Sequence, residues 1–406
     1  MCAVIACTAS DRNESTTDQD VFSRADITTQ DSTSADDIVE RSDTTSVDDA
    51  LNAQDAGTAP VDDIQQSQDT AQIDDTGGSS VTDTTLPPED SGVEDDTSEV
   101  SEIDPGSTGP FGFESSSDSI VVGQGMFGEE TTLEIISLVP EGNNNPVVLF
   151  MPGAQLTATD YTSTREHLAS YGFAVVFPSF SDGSLLDIPD AHVSLQQDVV
   201  KVLDWIENQA AGAWAGKIDP TRLAAVGHSL GGKLSFLVAT SDDRIDAIAG
   251  IDPVDSGPPS FVPFDPAEYP SVAPELMDLI TVPMLIMGET LNGSGGFQPC
   301  APTEDNFQQY YAAATAPALM IDFINANHMS FLDDPNGCAA CSLCPSGTDD
   351  PATTRLLMRR FLIAFLASSL NDNNEWNAWL FGALHSELVT EGLISSEYKN
   401  GFDTAL

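Results

Sequence analysis

Residues 222–233 read RLAAVGHSLGGK. An apolar run leads into Gly227-His228-Ser229-Leu230-Gly231, and a helix-forming segment follows. A serine between two such glycines, after a strand and before a helix, is the pattern of an exposed nucleophile on a strained turn. Gly227 and Gly231 must be small because the turn brings the strand and helix backbones together. The N–H of Leu230 would then face a developing oxyanion at the helix N-terminus. A second oxyanion donor is expected after the run PVVLFM (146–151), from Ala154 in Pro152-Gly153-Ala154-Gln155, with Gln155 the next choice.

A serine nucleophile needs an imidazole base, and the chain has five histidines. His228 sits inside the turn, where its ring points away from the nucleophile's side. His167 is expected on a polar helix face, His192 at the start of a helix and His385 in the C-terminal tail. His328 follows the apolar run ALMIDF (318–323), on a loop leaving the carboxyl edge of a sheet, where open α/β sheets place their chemistry. The chain order Ser, acid, His also fits it. The acid is expected at Asp252 in GIDPVD, where Pro253 fixes the turn, with Glu289 and Asp255 as alternatives. Its role is to hold the histidine tautomer and stabilise the imidazolium.

The elements that would carry these residues are legible as texture. Apolar runs recur at 119–123, 133–139, 146–151, 173–178, 223–228, 247–252, 283–288 and 318–323. Several are short, β-branched and continuous, as in strands buried on both faces. Helix-length segments lie at 159–171, 192–209, 230–241, 304–314 and 353–370. This alternation predicts an α/β domain over 116–371, with a mostly parallel central sheet covered by helices on both faces. Residues 372–406 read as a helical extension, with Trp376, Trp379, Leu380, Leu384 and Leu388 at helical spacing. That stripe suits packing on the domain itself; attachment to a polymer surface is the rival use.

The first part of the chain is of another kind. Residues 1–120 hold 29 acidic residues against three arginines and no lysine, and Phe22 is the only aromatic before Phe111. Such a segment buries too little apolar surface to offset its ordering entropy, so 8–115 reads as a disordered acidic tether. A net charge of −52 excludes nucleic acid as a partner and excludes a basic membrane-binding patch. Val4-Ile5-Ala6-Cys7 resembles a bacterial lipobox, so residues 1–7 read as the remnant of an export signal with Cys7 lipidated and the protein anchored at the cell envelope.

Cys300, Cys338, Cys341 and Cys344 belong to the domain. In an exported protein they predict two disulfides, with three pairings open. A bridge from Cys300 into the 338–344 loop would close about 40 residues, worth about 4 kcal/mol. CAACSLCP also carries metal- or cluster-like spacing, but thiolates oxidise outside the cell, and no metal is expected.

Seven segments in order, the serine turn and six others, resemble the chlorophyllase family of α/β-hydrolases, over roughly 145–370. LFMPGAQL is similar to that family's oxyanion strand and loop, with Pro152 where the family commonly has His. EHLASYGFAVVFPSF follows it as the next helix and strand. GHSLGGK resembles the family's elbow, with Leu230 in place of Arg. GIDPVD resembles the segment that carries the family's catalytic Asp, which supports Asp252. QPCAPTEDNFQQYY and NHMSFLDD follow, and the second resembles the segment with the catalytic His, which supports His328. MRRFLIAFL resembles the last helix. The related cutinase and polyester-hydrolase group has a similar Pro-Gly oxyanion loop.

The expectation is a monomeric carboxylic ester hydrolase with a Ser229-His328-Asp252 triad, acting on a small or polymeric ester without a cofactor. Leu230, beside the nucleophile, predicts an apolar pocket. The rival readings are a cutinase-like polyester or lipid-ester hydrolase, and an inactive hydrolase scaffold serving as a surface binding lipoprotein.

Overall fold

A computed structural model describes residues 103–124, 127–181, 183, 190–258, 264–294, 299–338 and 341–406. Cys7 and residues 8–102 of the expected tether lie outside the described residues. All eight apolar runs lie in strands: β1 (Phe113–Gln124), β2 (Glu130–Pro140), β3 (Asn145–Met151), β4 (Ala174–Ser179), β5 (Ile218–His228), β6 (Ala247–Ile251), β7 (Met284–Gly288) and β8 (Ala318–Phe323). A ninth, β9 (Ile394–Lys399), closes the sheet in the order β1-β2-β4-β3-β5-β6-β7-β8-β9. Strands β3 to β8 run parallel to one another, and β1, β2 and β9 are antiparallel to their neighbours.

The continuous apolar strands have the expected cause. All seven residues of β3 are buried. Val147, Leu149 and Met151 face one core, while Val148 and Phe150 face the other. Alternate side chains leave opposite faces of a strand, so a sheet covered on both sides needs apolar residues at every position.

The helices divide between those faces. α1 (Thr162–Ser170) and α5 (Pro351–Asn371) pack Leu168, Phe361 and Phe365 on one side. α2 (His192–Ala211), α3 (Leu230–Ala239) and α4 (Phe307–Ala313) pack Val199, Leu234 and Phe307 on the other. In α2 the buried Leu195, Val199, Val202, Leu203 and Ile206 repeat at helical spacing. α5 starts where Asp350 caps it by accepting from the N–H of Ala352, with Pro351 at the first position.

Two boundaries differ from the sequence reading. The ordered domain reaches back at least to Ile103, not to 116. Asp104 binds Arg360 at 2.7 Å, the His167 Nε2 bonds the Pro105 carbonyl at 2.8 Å, and the Trp376 indole donates to the Ile103 carbonyl at 3.0 Å. Composition could not show this, because 103–112 contributes backbone carbonyls and one ion pair rather than apolar bulk. The tail packs on the domain, as its apolar stripe suggested, and also supplies a strand where the sequence reading had only helix. α6 (Asn377–Leu380), α7 (Ala383–Thr390) and α8 (Phe402–Ala405) flank β9, which pairs with β8 from Ala318↔Lys399 to Phe323↔Ile394. Leu380, Leu388 and Phe402 are buried in the domain core, and Trp376 and Trp379 pack against it. No helix among the described residues is long and apolar enough to cross a membrane.

Candidate active site

The turn between β5 and α3 holds Ser229 at φ +55°, ψ −119°, a left-handed conformation that a side chain rarely adopts. Surrounding contacts impose it. The Ser229 N–H donates to the Ile251 carbonyl at 3.0 Å, and its own carbonyl accepts from the N–H groups of Lys233 and Val254. The flanking glycines are required by space. A Cβ on Gly227 would lie 2.2 Å from the Gly231 carbonyl oxygen, and one on Gly231 would lie 2.1 Å from that of Met151.

Ser229 Oγ lies 3.0 Å from His328 Nε2, and His328 Nδ1 lies 2.6 Å from Asp252 Oδ2. The three come from the carboxyl ends of β5, β8 and β6. His328 is placed by its N–H, which donates to Asn292 Oδ1 at 2.9 Å. Asp252 has φ +45°, and its N–H donates to the Met287 carbonyl at 2.7 Å. The arrangement can pass the serine proton to Nε2 while the carboxylate holds the proton on Nδ1.

Glu289, the alternative acid, is also buried here. One polar atom from each of Asp252, Glu289 and His328 lies within 4.8 Å of the others. Glu289 does not bond the imidazole. Its N–H donates to Asp252 Oδ1 at 3.3 Å, and its Oε2 accepts from the N–H of Asn292 at 2.9 Å. Its Oε1 has no hydrogen-bond partner among the described residues. Burial, then repulsion from Asp252, pushes the Glu289 carboxyl up to about 9, so it carries a proton at neutral pH. Burial pushes Asp252 the same way, but only Asp252 has the imidazole N–H to hold its charge. Burial also pushes His328 down, toward the neutral form that a base needs.

Asp255, the other alternative, serves a different partner. Its carboxylate meets Lys233 Nζ at 2.9 Å, with both groups buried, and accepts from the N–H groups of Val272 and Ala273. Lys233 also donates to the Asp255 carbonyl at 2.7 Å. This pair ties the start of α3 to the loop that begins at Asp252. The sequence contained a signal for it: a lone lysine in the apolar stretch LGGKLSFLVA, which needs a buried anion.

Ala154 and Leu230, the expected oxyanion donors, both line a cleft of about 250 Å³ beside Ser229. His192, Val254, Pro258 and Tyr269 form other parts of its wall, and among the described residues no carboxylate, lysine or arginine side chain lines it. The remaining histidines bond partners other than Ser229. His167 is buried, not on a polar face. His385 bonds the Trp379 carbonyl and Ser396 Oγ. His228 bonds Tyr161 and the His328 carbonyl, a contact the sequence did not reveal.

The four domain cysteines form two disulfides, Cys300–Cys344 and Cys338–Cys341. Cys300 lines the cleft, so the first bridge ties the cleft wall to the loop following His328.

The family model for chlorophyllases matches residues 119–381. The chain is 26% identical to Chlorophyllase-2 of Arabidopsis thaliana over 277 residues, covering 63% of this chain and 83% of that protein. It is 30% identical to Chlorophyllase-1 of the same plant over 240 residues, covering 55% and 72%. A shorter match, 30% over 113 residues, joins it to Cutinase 2 of Thermobifida cellulosilytica, covering 28% of this chain and 41% of that one. The strand order, the turn at Ser229 and these matches agree: the chain belongs to the chlorophyllase family, and is an ester hydrolase of the α/β-hydrolase fold.

Proposed function

We propose that the protein hydrolyses carboxylic esters through an acyl-enzyme on Ser229. The observation that carries this reading is the unbroken line of contacts Ser229 Oγ–His328 Nε2 and His328 Nδ1–Asp252 Oδ2, at 3.0 and 2.6 Å. Ser229 attacks the ester carbonyl while His328 takes its proton. His328 returns that proton to the leaving alcohol, then draws one from water to release the acid. Asp252 keeps the proton of His328 on Nδ1 and offsets the imidazolium charge. The N–H groups of Leu230 and Ala154 serve the oxyanion, and losing one such donor costs about 2.7–4 kcal/mol of barrier.

A cleft of about 250 Å³ admits one limb of an ester. Its uncharged lining suits an apolar acyl or alcohol group, with the bulk of a large substrate held outside. Chlorophyll, the substrate named by the relatives, and a polyester both fit that description. The two disulfides support an exported protein, since such bridges persist in oxidising compartments.

The test is hydrolysis of a short p-nitrophenyl ester by the full chain, with Ser229→Ala as the control. The expected fall in kcat is about 10⁵–10⁶-fold, the scale of removing a serine nucleophile. Equal turnover by both proteins would defeat the reading. A panel of chlorophyll, triglyceride and polyester then ranks the substrate classes.

A further inference from the structure

Beside Ser229, through residues that do not line the cleft, runs a chain of buried hydrogen bonds that the triad does not use. The Gly153 N–H lies 3.0 Å from the Tyr161 hydroxyl oxygen. That hydroxyl lies 2.9 Å from His228 Nδ1, and His228 Nε2 lies 2.9 Å from the carbonyl oxygen of His328. All three contacts are buried.

The two ends of this chain fix the direction of every proton in it. A backbone N–H can only donate, so the phenol oxygen accepts from Gly153. A carbonyl can only accept, so His228 donates to His328 from Nε2. Burial keeps His228 neutral, well below the ordinary imidazole range, so it has one ring proton and Nδ1 is an acceptor. The phenol proton of Tyr161 fills that acceptor, and burial keeps it on the phenol. No donor or acceptor in the line is left over.

The ends of the line are parts of the reaction site. Gly153 directly precedes Ala154, and His328 is the residue that bonds Ser229. Between them the His228 ring sits 4.7 Å from the His328 ring, centre to centre. Gly153 is packed so closely on this junction that a Cβ there would lie 3.1 Å from His228 Nδ1 and 3.2 Å from the Ser229 Cβ.

We infer that Tyr161 and His228 are positioning residues, which set the oxyanion loop at Ala154 and the base loop at His328 at one fixed separation through the line Gly153–Tyr161–His228–His328. The inference rests on the functional reading above. The charge that develops on the substrate oxygen and the proton arriving on His328 must be met together, so the donor and the base need a common reference. Close packing brings the serine turn against Gly153, but the two triad hydrogen bonds do not reach the oxyanion loop, so they do not tie its N–H to the base.

Tyr161→Phe tests this directly. The Phe150 and Phe177 rings, 5.3 and 5.9 Å from that of Tyr161, can still pack on the substituted ring. The Gly153 N–H and His228 Nδ1 each lose their partner. The expected result, with a short p-nitrophenyl ester, is a fall in kcat of about 10- to 100-fold, short of the loss of an oxyanion donor outright. KM stays within about threefold, because the ground state does not use the relay. Affinity for a boronic acid, which forms a tetrahedral adduct on the serine, falls in parallel with kcat. His228→Gln is read the same way, with the same expected loss.

If either folded variant keeps kcat and boronic acid affinity within about threefold of wild type, the relay is overturned. A lowered melting temperature with unchanged kcat would show the bonds to be merely structural, which also overturns it. Nitrogen NMR of wild-type protein gives an answer even if neither variant folds. His228 must be the neutral tautomer with its proton on Nε2; a proton on Nδ1 overturns the relay. If wild type itself does not hydrolyse esters, the functional reading has failed and the positioning role falls with it, while the NMR result separately decides the direction of the hydrogen-bond line.

Discussion

Two carboxyl groups stand behind one imidazole, and their environments give them different charges. Asp252 receives the His328 N–H at 2.6 Å, whereas Glu289 is pushed up to about 9 and holds a proton. Replacing a protonated acid by its amide changes little. Glu289→Gln should therefore keep kcat/KM at pH 7 within about threefold, while Asp252→Asn loses about 10⁴-fold by leaving the histidine in the wrong tautomer. Steady-state kinetics of the two variants, side by side, checks this. A collapse in Glu289→Gln with Asp252→Asn intact would transfer the role of triad acid to Glu289. The sequence could list both carboxyls but not rank them by contact, since each ends a strand and each strand is adjacent to the other in the sheet.

At the scale of elements, each strand end delivers one part of the site, and the loops after them are held by cross-links. The Cys300–Cys344 bridge joins the cleft wall to the loop after His328 across a separation of 44 residues. The Cys338–Cys341 bridge spans a separation of only 3. Loop-closure entropy makes their contributions unequal, about 4 kcal/mol for the first and about 2 kcal/mol for the second. Denaturant unfolding of the paired Cys→Ser variants should recover that order. The reverse order would mean that strain or residual unfolded-state structure outweighs loop length. The spacing of the cysteines suggested two bridges but left the pairing open, because it depends on where Cys300 lies after β7 has been laid beside β8.

At the scale of the whole molecule, both flanks of the sequence-defined domain turn out to be parts of it. β9 covers the free edge of β8, the strand that leads to His328, and all six residues of β8 are buried. A chain ending at Asn371 should lose that cover. The expected outcome is a melting temperature lower by about 10 °C or more, or aggregation through the bare edge. Full stability of the shortened chain would instead favour a separate use for the tail, such as surface attachment.

The opposite flank carries a pH dependence. Burial pushes His167 down to about 4, while in the unfolded chain it titrates near its ordinary 6.5. Between those values the unfolded state binds the extra proton, so stability rises with pH. The contribution of His167 is complete above pH 6.5 and is lost as pH falls toward 4. In melting curves at pH 7 and pH 4.5, His167→Gln should lose less stability than wild type. An equal or larger loss would place the acid sensitivity elsewhere.

The sequence by itself determined what depends on neighbours along the chain. The turn at Ser229 is written in two glycines, and the eight apolar runs state that both faces of the sheet are covered. The chain order pointed to His328 among five histidines. Only the tertiary structure decided what depends on neighbours through space. Asp252 rather than Glu289 meets the imidazole, and Lys233 finds Asp255 across 22 residues. Tyr161 reaches His228 across 67, 103–112 joins the fold through carbonyls and an ion pair, and the polar strand ISSEYK adds an edge to the sheet. Such residues carry no periodic apolar signal, because a hydrogen bond or ion pair is made by one atom at one distance, whereas a strand or helix repeats its demand on every turn or alternate residue.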